Sequence, residues 1–197
     1  KYAFPLQDDE SAIQLKWYID ELWYLANIGV SADSGGAGTP TNTATKFKKY
    51  LGETPMMFPI DQELDAGDEM IVELQYVTLL PYANGIVSYS YPHNYDLIQS
   101  DPLYAQNFIL QINSQRTIES LDMLNHTASE YANDGYYAAI EYNNYEAAAN
   151  MDYEIEYQLS LDELGLFGLS TFLPDSTVPD QGDRGFFAFI AEPDPND

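Results

Sequence analysis

The sequence predicts an all-β protein: an antiparallel β-sandwich, jelly-roll-like, with one or two short helical turns. Three observations lead to this class. Short segments repeatedly alternate apolar and polar side chains, which is the period of a half-buried strand. Turn signals such as Asn84-Gly85 and Asn133-Asp134-Gly135 separate these segments. The strand–helix–strand rhythm that a parallel sheet needs does not appear in the pattern.

The clearest strand lies in residues 152–166, DYEIEYQLSLDELGL. Its apolar positions alternate with Glu154, Glu156 and Gln158, so one face is expected to be buried and the other exposed. Beyond Ser160 the leucines change to helical or turn spacing, and Gly165 can adopt a left-handed cap. We therefore predict one helical turn after this strand.

The second strong signal is a hairpin over residues 12–30. Ile13, Leu15 and Trp17 alternate with polar positions, Asp20-Glu21 interrupts the pattern, and alternation then resumes. An amphipathic helix over residues 12–26 is the alternative. Aromatic and β-branched content favours strands.

The remaining elements follow from the same patterns. Alternation predicts strands at 69–80, 85–91, 107–113, 136–142 and 182–191. The strand at 136–142 is expected to pair with the strand at 152–161. The spacing of Ile118, Leu121 and Leu124 predicts a short helix over 117–126.

The length of 197 residues fits one domain with a sizeable core. We expect this domain at 12–191, an extended lead-in at 1–11 and an acidic tail at 192–197. Without cysteine, the chain has no disulfide and no thiolate metal site.

The charge is strongly one-sided, with 32 acidic and 7 basic residues and a net charge of -25. Nucleic acid and anionic membrane surfaces are excluded as expected partners, because both would approach against a like-signed potential. No apolar run has the length of a membrane span, so no membrane insertion is expected. The acidic surface predicts an extracellular or cell-surface protein, in a halophilic (high-salt) or calcium-rich environment.

Three segments together resemble the DOMON and family 9 carbohydrate-binding-module sandwiches. Residues 15–33 (LKWYIDELWYLANIGVSAD) resemble the family hairpin, 153–166 (YEIEYQLSLDELGL) its strand and turn, and 182–194 (GDRGFFAFIAEPD) its closing strand. They occur in the family's order and cover under a third of the chain. Ser160 replaces the family's proline, and Asp20-Glu21 matches the family turn loosely.

The resemblance implies sugar binding, haem b binding or a surface and adhesion role. Our leading hypothesis is a secreted or cell-surface module that binds a polysaccharide or glycan without catalysis, since tyrosine offers an apolar face and a hydroxyl together. We expect Trp17 in the core. The candidate stacking residues are Trp23, Tyr89, Tyr91 and Tyr136.

The alternative function is that of a structural subunit of an extracellular assembly, such as a surface layer, filament or capsid. Residues 1–11 and 192–197 would join the chain to copies of itself, by strand addition or through cation-bridged acidic faces.

A calcium site is the expected cofactor chemistry, because calcium takes six to eight oxygen ligands. The candidate ligands are Asp175, Asp180, Asp183 and Asp194, with Glu192 nearby. The EF-hand pattern is missing from the sequence.

A haem-carrying electron-transfer subunit is a further alternative, ranked below calcium binding. Its axial ligands would come from Met56, Met57, His93, His126, Lys46, Lys48 and Lys49. Nothing in the sequence places a lysine near the C-terminal strands.

We predict no enzyme, since the motifs G-x-S-x-G and H-E-x-x-H are missing. A glycoside hydrolase needs only two suitably placed carboxylates, so this class of enzyme stays open.

Charge alone generates one testable prediction. Added NaCl or calcium should raise the melting temperature, because both reduce repulsion among the acidic side chains. Thermal unfolding followed by circular dichroism from low to molar salt measures this. A melting temperature that does not change over that range would contradict it.

Overall fold

A computed structural model describes most of the chain. The described residues are 2–6, 10–26, 49–51, 56–58, 63–96, 98, 100–128, 130–162, 166–173 and 184–191.

The fold is all-β, as predicted, with antiparallel sheets. The strands are β1 Tyr2–Phe4, β2 Ser11–Ile19, β3 Leu22–Leu25, β4 Met56–Phe58, β5 Ile71–Val77, β6 Tyr82–Ala83, β7 Ile86–Tyr91, β8 Leu103–Asn113, β9 Ile118–Met123, β10 Glu130–Asn133, β11 Tyr137–Ala147, β12 Tyr153–Leu159, β13 Leu166–Leu173 and β14 Arg184–Ala191. One helical turn lies at 49–51.

The chain divides into two compact units, which we describe separately. Unit 1 comprises 1–80, 91–104 and 145–152, and unit 2 comprises 81–90, 105–144 and 153–197. Expectations of one domain over 12–191 and of an acidic tail at 192–197 stay predictions; the tail lies outside the described residues. In the lead-in, β1 pairs with β4 of the same chain, and Phe4 is buried against Tyr76 and Tyr91.

Unit 1 is built on the sheet β3-β2-β5. The predicted hairpin is confirmed, since β2 and β3 pair from Lys16↔Leu25 to Ile19↔Leu22. Asp20 and Glu21 both have positive φ, 52° and 62°, which is the signature of a type I′ turn. The helical alternative for 12–26 is therefore wrong.

One face of this sheet forms the core of unit 1. Leu15, Trp17, Ile19 and Ala26 are buried there, and the predicted core position of Trp17 is confirmed. The rings of Trp17 and Tyr24 stack with centroids 5.5 Å apart and planes 10° apart. Partly buried apolar residues complete the cluster: Tyr24, Met56, Met70, Val72 and Leu74.

Ile13 does not join this core, although its spacing from Leu15 predicts the same face. Its side chain is exposed. The register of β2 against β5 passes from Ala12↔Tyr76 to Gln14↔Gln75, so Ile13 is the extra residue of a β-bulge. The bulge breaks the period-two alternation at this residue.

Unit 2 contains a β-sandwich. One sheet has the order β10-β11-β8, and the other has the order β6-β7-β12-β9. The rings of Phe108 on β8 and Tyr153 on β12 stack across the two sheets with centroids 4.2 Å apart. The interior contains buried Ile118, Leu121, Ala138, Ile140, Ile155 and Leu159. The predicted strand at the centre of 152–166 is thus a central strand of this sandwich.

The helix predicted over 117–126 is wrong, because this segment contains strand β9. It pairs with β12 from Leu159↔Ile118 to Ile155↔Met123, and the register skips Glu119. This bulge brings Ile118 and Leu121 to the same buried face although they are three residues apart. A helix produces the same spacing, which is why the pattern was misleading.

The predicted pairing of 136–142 with 152–161 is also wrong. β11 pairs with β10 and β8, whereas β12 pairs with β7 and β9, so the two strands lie in opposite sheets. Tyr142 and Tyr153 meet across the interior with centroids 5.7 Å apart. After β12, residues 161–162 form a bend and Leu166 begins β13. The helical turn predicted between them falls mainly on 163–165, outside the described residues, and stays a prediction. Gly165 lies outside the described residues.

Arg116 is a buried charged residue in unit 2, only 3% exposed. Its guanidinium donates to the backbone carbonyl of Ser160 and, at 3.5 Å, to the hydroxyl of Tyr82. These bonds connect the β8–β9 loop to the end of β12 and to β6. A charged donor offsets the cost of burying these polar groups.

Gly85 gives a stability prediction. It has a φ of +83°, and a Cβ there would lie 2.9 Å from the Leu159 carbonyl oxygen. Gly85→Ala should destabilise the fold by about 2 kcal/mol or more, from left-handed strain plus this close contact. Gly67 is the matched control, since its φ is +100° and nothing lies within 4 Å of its Cβ position. Urea unfolding in molar salt should show a larger loss for Gly85→Ala than for Gly67→Ala. Equal losses would contradict a role for the contact.

Candidate functional site

The outer face of the sheet β3-β2-β5 carries the candidate site. Because side chains alternate along a strand, the residues between the core positions of β2 point away from the core. The cross-strand register then places residues of β3 and β5 beside them. We call this surface the outer face, and it consists of Gln14, Lys16, Tyr18, Trp23, Leu25, Ile71, Glu73 and Gln75.

Trp23 and Tyr18 form an aromatic pair on the outer face. They are directly opposite each other in the register, with centroids 5.3 Å apart and planes inclined by 48°. Trp23 is 52% exposed. The Lys16 Nζ lies 4.8 Å from the centroid of the Trp23 ring, a cation–π contact that orients the indole. The pair therefore presents exposed ring surface in a fixed orientation.

Polar groups adjoin the aromatic pair. Lys16 Nζ lies 2.8 Å from Glu73 Oε2, and Gln75 Nε2 donates to Glu73 Oε1 at 3.3 Å. The hydrogen bond from Lys16 lowers the pKa of Glu73, and the bond from Gln75 acts in the same direction. Glu73 is therefore held as a carboxylate, an acceptor for hydroxyl donors.

This arrangement can contact both an apolar and a polar part of a ligand. An exposed ring can cover the apolar face of a ligand, and the carboxylate, amides and ammonium can bond its polar edge. The outer face contains one carboxylate, that of Glu73. A glycoside hydrolase of the usual kind needs two.

The other predicted stacking residues lie elsewhere. Tyr91 belongs to unit 1, where its ring contacts Phe4 at 6.1 Å. Tyr89 belongs to unit 2 and is half-buried, at the same strand parity as buried Val87. Tyr136, also in unit 2, is exposed in the turn between β10 and β11, and its carbonyl accepts from Ser114 N at 2.9 Å. Of the four, only Trp23 lies on the outer face.

The predicted calcium ligands Asp175, Asp180, Asp183 and Asp194 lie outside the described residues, as does Glu192. Within the described part of the chain, no three acidic or histidine side chains come together as a metal site. Calcium binding at the predicted loop stays a prediction.

The residues named for haem are in varied surroundings. Met56 packs on the core of unit 1, and His93 meets the Tyr95 ring edge-on. His126 contacts Tyr142 and Tyr153 in unit 2. Lys49 is exposed in the helical turn. Lys46 and Lys48 lie outside the described residues, and the side chain of Met57 is not described.

Tyr18, Lys16 and the β5 residues were not predicted as site residues. The sequence was sufficient to identify Tyr18, because a two-residue turn at 20–21 places Tyr18 directly opposite Trp23 in the hairpin. Glu73 and Gln75 could not be found in this way. Their place depends on β2 pairing with β5, which lies about fifty residues later in the chain.

Comparison of the chain with protein-family models, curated proteins and solved structures finds no match. The resemblance to the DOMON and family 9 sandwiches is not tested by this result and stays a prediction. No helix in the described ranges is long and apolar enough to cross a membrane.

The Lys16–Glu73 pair gives a testable prediction. Lys16→Met should raise the pKa of Glu73 toward its ordinary value, because the strongest hydrogen bond to the carboxylate is lost. A carbon-13 NMR titration of the glutamate carboxyl groups measures the change. Gln75→Leu is the control and should raise this pKa less.

The lowered pKa of Glu73 also makes the folding stability depend on pH. A lowered pKa stabilises the fold above the ordinary pKa of glutamate, and this contribution is lost as the pH falls through the lowered value. Because the pair is exposed, the effect on unfolding should be small. An unchanged Glu73 pKa in the Lys16→Met variant would contradict the assignment.

Proposed function

We propose that the protein binds carbohydrate non-catalytically through the outer face of β3-β2-β5. The observation that carries the proposal is the exposed Trp23–Tyr18 pair beside the Glu73 carboxylate. Sugar rings have an apolar face of C–H groups and an edge of hydroxyl groups. The outer face offers a partner for each of them.

Fixed geometry supports this use of the face. Trp23 is held by ring contact with Tyr18 and by the ammonium of Lys16, and Lys16 is held in turn by Glu73. Side chains already ordered in the free protein lose less conformational entropy on binding. Residues on paired strands also keep their positions better than residues on loops.

The geometry favours a class of ligand. The net charge of -25 disfavours anionic polysaccharides, so the ligand is a neutral glycan. The two rings are inclined by 48° and do not form one flat surface. A soluble, twisted glycan chain fits such a pair better than the planar surface of an insoluble polysaccharide.

The test is a variant at Trp23. Affinity electrophoresis through gels of soluble neutral polysaccharides, in high salt, should show retention of the natural chain. Trp23→Ala should weaken binding about fivefold or more, because an aromatic contact contributes roughly 1 kcal/mol in addition to the area that it buries. Tyr104→Ala is the matched control, since Tyr104 is an exposed aromatic residue on β8.

Tryptophan fluorescence can report on the outer face separately from the core of unit 1. The two tryptophans are Trp17, buried in the core, and Trp23. A bound glycan should change the emission of the natural chain, and Trp23→Phe should abolish that change while Trp17 still emits. Lack of retention by every polysaccharide, or full binding by Trp23→Ala, would rule out the proposal.

A further inference from the structure

β13 and β14 form a two-stranded ribbon in unit 2. They pair along eight residues each, from Leu166↔Ala191 to Leu173↔Arg184, and neither pairs with another described strand. An isolated two-stranded ribbon is marginally stable in water. Packing on one of its faces would supply the missing stability.

The composition of the ribbon differs from that of the rest of the chain. The two strands read LFGLSTFL and RGFFAFIA, with Arg184 as their only charged residue and no acid. The whole chain has 32 acidic residues among 197. Apolar residues occur at both strand parities, a pattern typical of strands that are covered on both faces.

One face of the ribbon has a ridge beside a trough. Phe187 and Phe189 on β14 are 80% and 66% exposed and point to the same side. Their cross-strand partners on β13 are Ser170 and Gly168, and nothing lies within 4 Å of a Cβ built at Gly168. Large side chains on one strand therefore lie next to small residues on the other.

We propose that this ridge-and-trough face packs against the same face of a second copy of the chain. A two-fold axis parallel to the strands, between the stacked ribbons, places β14 of each copy over β13 of the other. Phe187 then meets Ser170 of the second copy, and Phe189 meets Gly168. The face is self-complementary, which is the requirement for a two-fold symmetric interface.

Electrostatics favours association at the ribbon over other surfaces. Two chains of charge -25 repel each other, and an acid-free surface is where they approach at least cost. Salt should strengthen the dimer by screening the remaining repulsion. One ribbon face measures roughly 27 Å by 10 Å, which is smaller than the usual interface of about 800 Å² per partner. The dimer is therefore expected to be weak.

The first experiment measures association. Sedimentation equilibrium from micromolar to millimolar concentrations, without polysaccharide, should show a monomer–dimer equilibrium that shifts to dimer from low to molar NaCl. Phe187→Asp with Phe189→Asp should give a monomer. The matched control is Leu79→Asp with Ile109→Asp, which adds the same charge at exposed apolar residues outside the ribbon and should keep the dimer. Circular dichroism confirms that each variant is folded.

The second experiment tests the arrangement. The chain contains no cysteine, so each introduced thiol is unique. Ala191→Cys, at one end of the ribbon, should cross-link to itself with a short bis-maleimide far more than it cross-links to Ser170→Cys, because the axis keeps each residue at the same level along the strands and these two levels are roughly 14 Å apart. Equal yields would contradict the two-fold arrangement.

The outcomes separate this proposal from glycan binding. A monomer at all concentrations in molar salt, or a dimer that persists in the Phe187→Asp, Phe189→Asp variant, would overturn it. Trp23→Ala should dimerise like the natural chain, because the outer face of unit 1 takes no part in the ribbon contact. Failure of glycan binding would therefore leave the association intact.

Discussion

The stacking of Tyr153 on Phe108 is the contact on which the sandwich of unit 2 depends. Tyr153 is 2% exposed and also meets the rings of His126 and Tyr142, so side chains of both sheets converge on it. A ring of this size sets the separation of the sheets, and the alternation of β12 then assigns its neighbours to the interior or the solvent. Trp17 has the same role in unit 1, where its stack on Tyr24 ties β2 to β3.

Local patterns predicted several of the strands and two of the tight turns. Alternation located β2, β5, β7 and β12, and the two-residue turns at 20–21 and 84–85 follow from short-range chemistry. The bulges at Ile13 and Glu119 were beyond such reasoning, because an extra residue is defined only by the partner strand. The choice of partner for β11 depends on burial across the whole unit, and the strand itself carries no signal for it.

The candidate site was predictable to a lesser degree. The parity of Trp23, opposite to that of Tyr24, leaves it either facing solvent or packed under a loop, and its exposure in the structure decides for solvent. The aromatic half of the outer face is local to one hairpin, whereas the polar half comes from β5. A site shared between distant strands requires the sheet order, and one sequence does not contain that order in readable form. The central strand β2 thus presents core residues on one side and the proposed binding surface on the other.

The tip of the β2–β3 hairpin places two carboxylates next to each other, Asp20 and Glu21, in a left-handed backbone that ordinary residues avoid. Fresh water, with few counter-ions, would leave this mutual repulsion unscreened at the point where the backbone is already strained. Fraying would then begin at the tip and reach Trp23 within two residues, while Leu15 and Trp17 stayed packed. Desalting would thus disable the proposed ligand recognition in a chain that is still folded.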